Sequence, residues 1–439
     1  MQGGSMLQCL IKNAIQLLPM LPPTEEKLGT EPQSNSISKT ISSLILPLYL
    51  PSTIFSIARS LLIPVLPLFA SDFDVPYTII GLLLSADKIG MLVGDIPAGM
   101  MIRRLGIKRA MIIGILMAGI STTALFWSVS IFDAFLYLFL AGFGTSLYTV
   151  TRHTWMVGAI PVEHRGRAIG ILGGVFRIGN FIGPVVGGAI AGAYGLRVPF
   201  LFFGVAFLVA LIANAAFMPK VEPETDETGE KRHLNLKGLK AIFGDEWGMV
   251  TWAGTGYLFM QMVRSGPSII IPLYAADVLH LDVQSIGLIM SLSSAVDMTL
   301  FIPAGFIMDW LGRKVSIISS SLLLSIGIAL IPIATSYSSL LWISLLIGFG
   351  NGLGAGAMLT LGADLAPEEY RGEFLGFWRF LGDAGGTGGP LAIGSVAEVF
   401  ALSQTTIFIA AAGIMASLVF AFRMKETLSK RSPPVTKPV

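Results

Sequence analysis

Long apolar runs separated by short polar loops occupy the chain between residues 43 and 423. An α-helix rises about 1.5 Å per residue, so about 20 apolar residues cross a hydrocarbon core of roughly 30 Å. Backbone polar groups in lipid must bond within their own segment, and a membrane β-barrel would instead show short alternating segments. The pattern therefore predicts membrane-spanning helices. We place twelve spans, with approximate limits 43–70, 78–101, 108–128, 131–158, 166–193, 198–218, 249–276, 284–308, 314–335, 338–363, 370–397 and 403–423.

The composition also favours a membrane protein. Hydrophobic residues make up 53% of the 439 residues and charged residues make up 13%, whereas a soluble domain carries about 25% charged residues. The sequence contains no Gly-x-x-x-x-Gly-Lys-Ser/Thr phosphate loop and no His/Cys metal cluster. We therefore expect no enzyme, no ATP-driven pump, no cofactor, no bound metal and no nucleic-acid partner.

The charged residues divide the chain and orient it. We predict an N-terminal tail without stable structure, a first six-helix bundle, a charged linker, a second six-helix bundle and a C-terminal tail. Their limits are 1–42, 43–218, 219–248, 249–424 and 425–439. Arginine and lysine are concentrated in the loops after spans 2, 4, 8 and 10, and such loops face the cytoplasm. Both termini are therefore expected in the cytoplasm, with the plasma membrane as the expected location.

The two predicted bundles repeat each other in sequence. Arg59 and Arg264 lie 205 residues apart, and the tripeptide Pro-Ala-Gly at 97–99 recurs 206 residues later at 303–305. Internal repeats of this kind are typical of secondary transporters, which bind solute near the middle of the membrane between the repeats. The predicted fold is an all-α membrane protein made of two pseudo-symmetric six-helix bundles.

A short motif of glycine, aspartate and basic residues follows span 8. Its members are Gly305, Asp309, Gly312, Arg313 and Lys314. It resembles the loop motif of the major facilitator superfamily, a resemblance that extends over essentially all of residues 43–423. The matching positions after span 2 are Gly99, Arg103, Gly106, Lys108 and Arg109. The resemblance implies that the carboxylate helps to latch the two halves beside a helix N-terminus. Arg103 stands where the family usually has aspartate and cannot act in this way.

Span 5 carries a second motif of glycine and proline. Its members are Gly179, Gly183, Pro184, Gly187 and Gly188. The motif is similar to one found in the drug:proton antiporter branches of the superfamily. Small residues also let helices approach closely, so helix packing alone is an alternative explanation. The arginine that such antiporters often place in span 4 is absent near Leu138, which weighs against the antiporter assignment.

Eight ionisable residues are predicted near the middle of the membrane, where a charge is unfavourable and marks a cavity or a partner. They are Arg59, Asp87, Lys88, Arg177, Arg264, Asp297, Arg379 and Asp383. We expect them to bind substrate or carry protons, or else to pair with one another. Arg152 is placed near the end of span 4, and His153 is expected to be solvated.

Two of these positions have a more specific interpretation. Arg59 and Arg264 are equivalent in the repeat, and a pair of arginines suits a phosphate or carboxylate because guanidinium groups form bidentate bonds.

Asp87 and Lys88 are neighbours and point about 100° apart on a helix, so they are not expected to face the same spot.

The sequence therefore predicts a secondary transporter that moves a small organic solute by alternating access. Proton-coupled efflux of the multidrug type is the first expectation. Uptake or exchange of an organic anion or organophosphate is the alternative, because cations outnumber aspartates among the mid-membrane charges. A receptor-like protein without transport is a further alternative. The expected partners are the solute, protons and membrane lipids, with the chain a monomer.

Overall fold

The computed structural model describes residues 44–160, 162–218, 247–367 and 370–428. All regular structure within these ranges is helical. The predicted N-terminal tail, and most of the predicted linker and C-terminal tail, lie outside the described residues, so the domain limits stay predictions.

Fifteen α-helices follow one another in the described residues. A π-helical turn at Ile45–Tyr49 precedes the first, and short 3₁₀ turns lie at Leu125–Trp127 and Ile331–Ile333. The helices are α1 Leu50–Leu61, α2 Val65–Ser71, α3 Tyr77–Leu105, α4 Ile107–Ala124, α5 Ile131–Ala159, α6 Val162–Tyr194, α7 Val198–Phe217, α8 Trp247–Ser265, α9 Pro267–Asp277, α10 Val283–Leu311, α11 Arg313–Leu330, α12 Tyr337–Leu353, α13 Ala357–Leu365, α14 Arg371–Phe400 and α15 Leu402–Arg423.

Helices occupy all of the predicted spans, but three spans are broken. The first is divided between α1 and α2 before Pro64, and the seventh at Gly266 before Pro267. Proline lacks the backbone N–H that continues a helix. The tenth is divided between α12 and α13, where Gly356 has a φ of 76°, a conformation that favours glycine. The predicted positions of these three helical regions agree with the structure, but each was predicted as one continuous helix.

Nine helical stretches among the described residues are long and apolar enough to cross a membrane. They coincide with every predicted span except the second, seventh and eleventh. The helices at those three positions carry several of the mid-membrane charges, including Asp87, Arg264 and Asp383. The all-α membrane fold is confirmed, whereas the count of twelve crossings stays a prediction.

The predicted repeat is visible in the lengths and caps of the helices. Helices α3 and α10 each contain 29 residues and begin 206 residues apart, and α4 and α11 each contain 18. Ser130 and Ser336 form capping boxes at equivalent helix starts. Lys108 donates to the carbonyl of Met218 at 3.2 Å, and the equivalent residues Lys314 and Met424 form the same bond at 2.8 Å.

We call residues 44–218 the first half and residues 247–428 the second half. The end of the molecule that carries the loops at Gly106 and Gly312 is the motif end, and the end that carries Tyr77 and Asp277 is the opposite end. Helix α3 packs against α14, and α6 packs against α10. Each contact joins one half to the other.

The crossings between the halves depend on glycines that lie toward the opposite end. A Cβ on Gly81 would overlap the backbone of Pro390 and approach Gly394, and a Cβ on Gly188 would meet Val283 and Gly287. These two crossings are related by the 206-residue offset. The absence of side chains there lets the backbones touch, as is common where membrane helices pack closely.

Hydrogen bonds reinforce the contact at the opposite end. Tyr77 donates its hydroxyl to Asp277 at 2.8 Å, and its backbone N–H donates to Glu398, also at 2.8 Å. Tyr77 precedes the second predicted span. Burial and, to a smaller extent, the bond to Asp277 raise the pKa of Tyr77 to about 12. The phenol therefore stays protonated and able to donate. The two halves are therefore joined at the opposite end.

Candidate functional site

A cavity of about 570 Å³ lies between the halves, within the range of 300–1,000 Å³ that is typical of small-molecule sites. Most of its wall comes from α1, α3, α5 and α6 of the first half. The second half contributes Ser265, Ser268, Ile269, Arg379, Gly386 and Pro390. The cavity therefore lies where the repeat predicts a solute site.

Arg59 and Asp87 form an ion pair on the cavity wall. Arg59 lies in the last turn of α1 and also donates from Nη1 to the Thr145 hydroxyl at 3.0 Å. A Cβ on Gly142 would overlap the backbone of Asp87, so this glycine lets α5 lie directly against α3. The close approach of three helices holds the pair in place.

Lys88 also lines the cavity, next to Asp87. Neighbouring residues on a helix point about 100° apart, yet Asp87 and Lys88 both line this cavity. No ion pair of Lys88 within 4 Å is found among the described residues.

Arg379 reaches the cavity from the second half. Its Nε lies 3.5 Å from Asp383, one turn later on α14, and both side chains are about half exposed. Four of the eight predicted residues, Arg59, Asp87, Lys88 and Arg379, thus share one cavity. Asp383 lies behind Arg379 and is not part of the wall.

The other three predicted residues form a separate cluster in which Asp297 is buried and the two arginines are partly buried. Arg177 on α6 lies 3.8 Å from Asp297 on α10, so this ion pair joins the two halves. The guanidinium of Arg177 also lies 4.1 Å from the centre of the Phe301 ring. Arg264 on α8 donates to the carbonyl of Asn351 at 3.0 Å. None of Arg177, Arg264 and Asp297 lines the cavity.

The cluster repeats the pair of the first half in altered form. Arg59 and Arg264 are equivalent, and so are their partners Thr145 and Asn351. The carboxylates are not equivalent. The position that matches Asp297 in the first half is Met91, and Asp87 lies one turn earlier on α3. The carboxylate of the first half, Asp87, therefore lies on the cavity wall. The carboxylate of the second half, Asp297, is buried near Arg177 and Arg264.

Arg152 and His153 line the cavity although the sequence analysis did not select them. Arg152 was placed near the end of its span, and His153 was expected to be solvated. Both residues lie well inside the predicted span 131–158 and inside α5, and the structure shows that they line the cavity. The signal available in the sequence was an ionisable residue within an apolar helix, the same signal that identified the other eight.

The loop motifs lie at the motif end and bond within their own halves. Arg313 donates to Asp309 at 3.2 Å and to Asp364 at 3.2 Å. Glu426 accepts from the backbone N–H groups of Arg313 and Lys314, so a carboxylate lies at the N-terminus of α11, where the helix dipole favours negative charge. Among the described residues, Asp309 pairs with Arg313 of its own loop and with no residue of the first half.

The glycines of both loops serve the turn between two helices. Gly106 has a φ of 79° and Gly312 a φ of 102°, a region that other residues avoid. Gly99 and Gly305 face open space, since a Cβ on either would meet nothing within 4 Å. In the first half, the side chains of Arg103 and Arg109 are exposed.

The glycines of the span 5 motif face two different neighbours. A Cβ on Gly179, Gly183 or Gly187 would overlap α1, whereas Gly188 faces α10 of the second half. Beyond Pro184, the backbone N–H of Val185 donates to the Ser291 hydroxyl of α10 at 2.9 Å. The motif thus packs one half together and joins it to the other.

Comparisons with known proteins agree with this arrangement. The chain is 22% identical to an uncharacterised MFS-type transporter of Methanocaldococcus jannaschii, over 82% of this chain and 93% of that protein. It is 23% identical to the cis,cis-muconate transport protein of Acinetobacter baylyi, over 81% and 87%. It is also 23% identical to the class H tetracycline resistance protein of Pasteurella multocida, over 79% and 87%.

A solved structure shows the same fold. The D-xylose–proton symporter superimposes with a TM-score of 0.70 at 16% identity, over 88% of this chain and 98% of that chain. A family model described as Major Facilitator Superfamily matches residues 48–390 and 253–438. The chain therefore belongs to the Major Facilitator Superfamily, as a multi-pass membrane transporter of small solutes and not an enzyme.

Proposed function

We propose that this transporter carries a small organic anion across the membrane by alternating access. The observation that supports the proposal is the charge of the cavity wall. The wall includes the cations Arg59, Lys88, Arg152 and Arg379. Asp87 is the one carboxylate among the described residues that line it.

Ion pairing leaves two of these cations without a counter-charge. Asp87 neutralises Arg59, and Asp383 lies beside Arg379. Lys88 and Arg152 have no carboxylate within ion-pair distance among the described residues. Unpaired charge inside a membrane bundle is unfavourable, and an anionic solute would supply the missing partner. The relative from Acinetobacter is named for muconate, a dicarboxylate.

The contacts between the halves support alternating access. The halves are joined at the opposite end through Tyr77 and the glycine crossings, whereas Asp309 at the motif end is bound within its own half. We infer a state that opens toward the motif end. With the termini in the cytoplasm and the protein in the plasma membrane, as the loop charges predict, this state faces inward. We further propose that the chain acts as a monomer surrounded by lipid.

Asp297 is the proposed site of proton coupling. It is 7% exposed, its Oδ1 has no hydrogen-bond partner within the described ranges, and its Oδ2 lies 3.8 Å from Arg177 of the other half. Protonation would remove the charge that attracts Arg177. The link between the halves would then depend on the proton.

Proton-coupled efflux of a lipophilic drug is the second candidate function. The cavity wall includes Phe55, Phe176 and Phe203, which suit an apolar solute, and Asp87 provides an acidic group. The relative from Pasteurella is named for tetracycline resistance, and the span 5 motif resembles that of drug antiporters. The excess of positive charge on the wall weighs against cationic drugs.

Gradient-driven uptake into proteoliposomes tests the proposal. Purified protein would be given an imposed pH gradient and a panel of carboxylates, organophosphates and lipophilic cations. We expect flux of at least one carboxylate and its loss in Asp297→Asn, while Asp74→Asn, an exposed loop carboxylate, serves as the matched control. Flux of cations alone would replace the anion proposal with drug efflux. No flux of any class from folded protein would favour a receptor.

A further inference from the structure

We infer that Arg152 binds the anionic group of the solute and selects a planar carboxylate. The inference rests on the proposed function, because it concerns the same cavity and an anionic solute. The charge of the wall alone does not distinguish Arg152 from the other cations, or a carboxylate from another anion.

Arg152 is a buried cation with no carboxylate in ion-pair distance among the residues that the structure describes. It is 3% exposed, and it lines the cavity. Within the described part of the chain, its side chain makes a single long hydrogen bond, 3.4 Å from Nη1 to the Ser52 hydroxyl, and its Nε has no partner. A guanidinium stays charged in proteins and its donors need acceptors. The Nε itself is fully buried. Because Arg152 lines the cavity, its terminal Nη groups are the donors that a molecule in the cavity can reach.

Two aromatic rings hold the guanidinium from its sides. Its central carbon lies 5.2 Å from the centre of the Tyr148 ring and 5.1 Å from the centre of the Phe176 ring. Such contacts stabilise a cation without neutralising it. They also restrict the space in which the group can move. The donors that remain lie along its edge, where a carboxylate can accept two parallel hydrogen bonds.

The other cations of the wall are less suited to this role. Arg59 is already bound to Asp87 and Thr145. Arg379 has Asp383 one turn away. Lys88 has no ion pair among the described residues, but an ammonium group attracts any anion as a point charge and has no planar fork. Lys88 therefore attracts any anionic solute, whereas Arg152 favours a planar carboxylate.

Equilibrium binding to purified protein tests the inference without transport. The probes are benzoate, cis,cis-muconate and succinate, each beside its neutral amide, together with glycerol 3-phosphate. Arg152→Lys keeps the charge and removes the fork, and Arg152→Gln removes both. Arg104→Lys makes the same exchange at an exposed position at the end of α3 and is the matched control.

We expect the unmodified protein to bind at least one carboxylate and not its amide. Arg152→Lys should weaken that binding about tenfold or more, because charge-assisted bonds are lost, while Arg104→Lys leaves it unchanged. Phe176→Leu removes one flanking ring and keeps the arginine. It should weaken carboxylate binding to a smaller degree, and it tests the site if Arg152→Gln fails to fold.

Three results would overturn the inference. Carboxylate binding that is unchanged in both Arg152 variants would reject Arg152 and leave the anion function standing. Binding of glycerol 3-phosphate in preference to every carboxylate would reject the planar class. Absence of binding by every anion, with retention of a lipophilic cation, would reject the proposed function and the inference together.

Discussion

At the scale of single residues, the structure shows which charged side chains line the cavity, whereas the sequence gives only their depth in the membrane. Position along a span gives the distance from the membrane surface, because each residue adds about 1.5 Å. It does not give the direction of the side chain in a bundle or its partner. Depth therefore identified Arg59, Asp87, Lys88 and Arg379 among the candidates. It could not separate them from Asp297, and it gave Arg152 too little weight.

The ion pair of Arg59 and Asp87 yields a prediction for binding. Asp87→Asn would leave Arg59 without a counter-charge and make the cavity more positive. We expect the affinity for an anionic solute to rise several-fold and the melting temperature of the purified protein to fall, because the pair joins α1 to α3. Titration with a carboxylate and a thermal melt measure both effects. Asp74→Asn should change neither, and weaker anion binding in Asp87→Asn would contradict the account.

At the scale of helices, the sequence was sufficient for most elements. The apolar runs predicted the positions of the helices, and the repeat predicted two related bundles, in which α3 and α10 are both 29 residues long. The breaks in spans 1, 7 and 10 were not predicted, because each interruption is short and the apolar runs on its two sides together have the length of one membrane span. Neither could the sequence identify which glycines face the other half. That depends on the rotation of each helix about its axis.

Gly188 provides a prediction for the crossing of α6 and α10. Gly188→Val would force the two backbones apart, since a Cβ there already meets Val283 and Gly287. We expect the population closed at the opposite end to fall. Distances between spin labels on the ends of α6 and α10, in a Cys9→Ser background, measure the change. Gly305→Val is the control, because a Cβ at Gly305 meets nothing within 4 Å. An unchanged distance distribution would count against the crossing as a point of contact between the halves.

Tyr77 provides a second prediction for the opposite end. Tyr77→Phe removes the bond to Asp277 and keeps the ring and the backbone bond to Glu398. A hydrogen bond contributes about 0.5–1.5 kcal/mol, so we expect the closed population at this end to fall a few-fold. Modification of a cysteine introduced at Ser268 in the cavity, by a reagent added from the opposite side, should become faster. Tyr337→Phe, at the start of α12, is the control. Equal rates in Tyr77→Phe and the unmodified protein would exclude a gate at Tyr77.

At the scale of the whole molecule, the two halves are similar in backbone and different in charge. The two halves share a backbone plan, and the offset of 206 residues relates their helices, caps and crossings. They differ in the charges they carry. The first half, with Arg59, Lys88 and Arg152, forms most of the cavity wall, whereas the second half buries Asp297 beside Arg264. We expect this asymmetry to divide the roles, with solute binding in the first half and proton coupling in the second.

Counterflow in proteoliposomes tests the central claim most directly, because it reports carrier-mediated exchange without an imposed ion gradient and is driven by the outward gradient of the unlabelled compound alone. Vesicles would be loaded with an unlabelled carboxylate, its neutral amide or a lipophilic cation, and the uptake of a trace of the same labelled compound would be followed. The account predicts transient accumulation of a carboxylate and none of its amide or of the cation. Accumulation of the cation alone, or equal accumulation of carboxylate and amide, would contradict a carrier for organic anions.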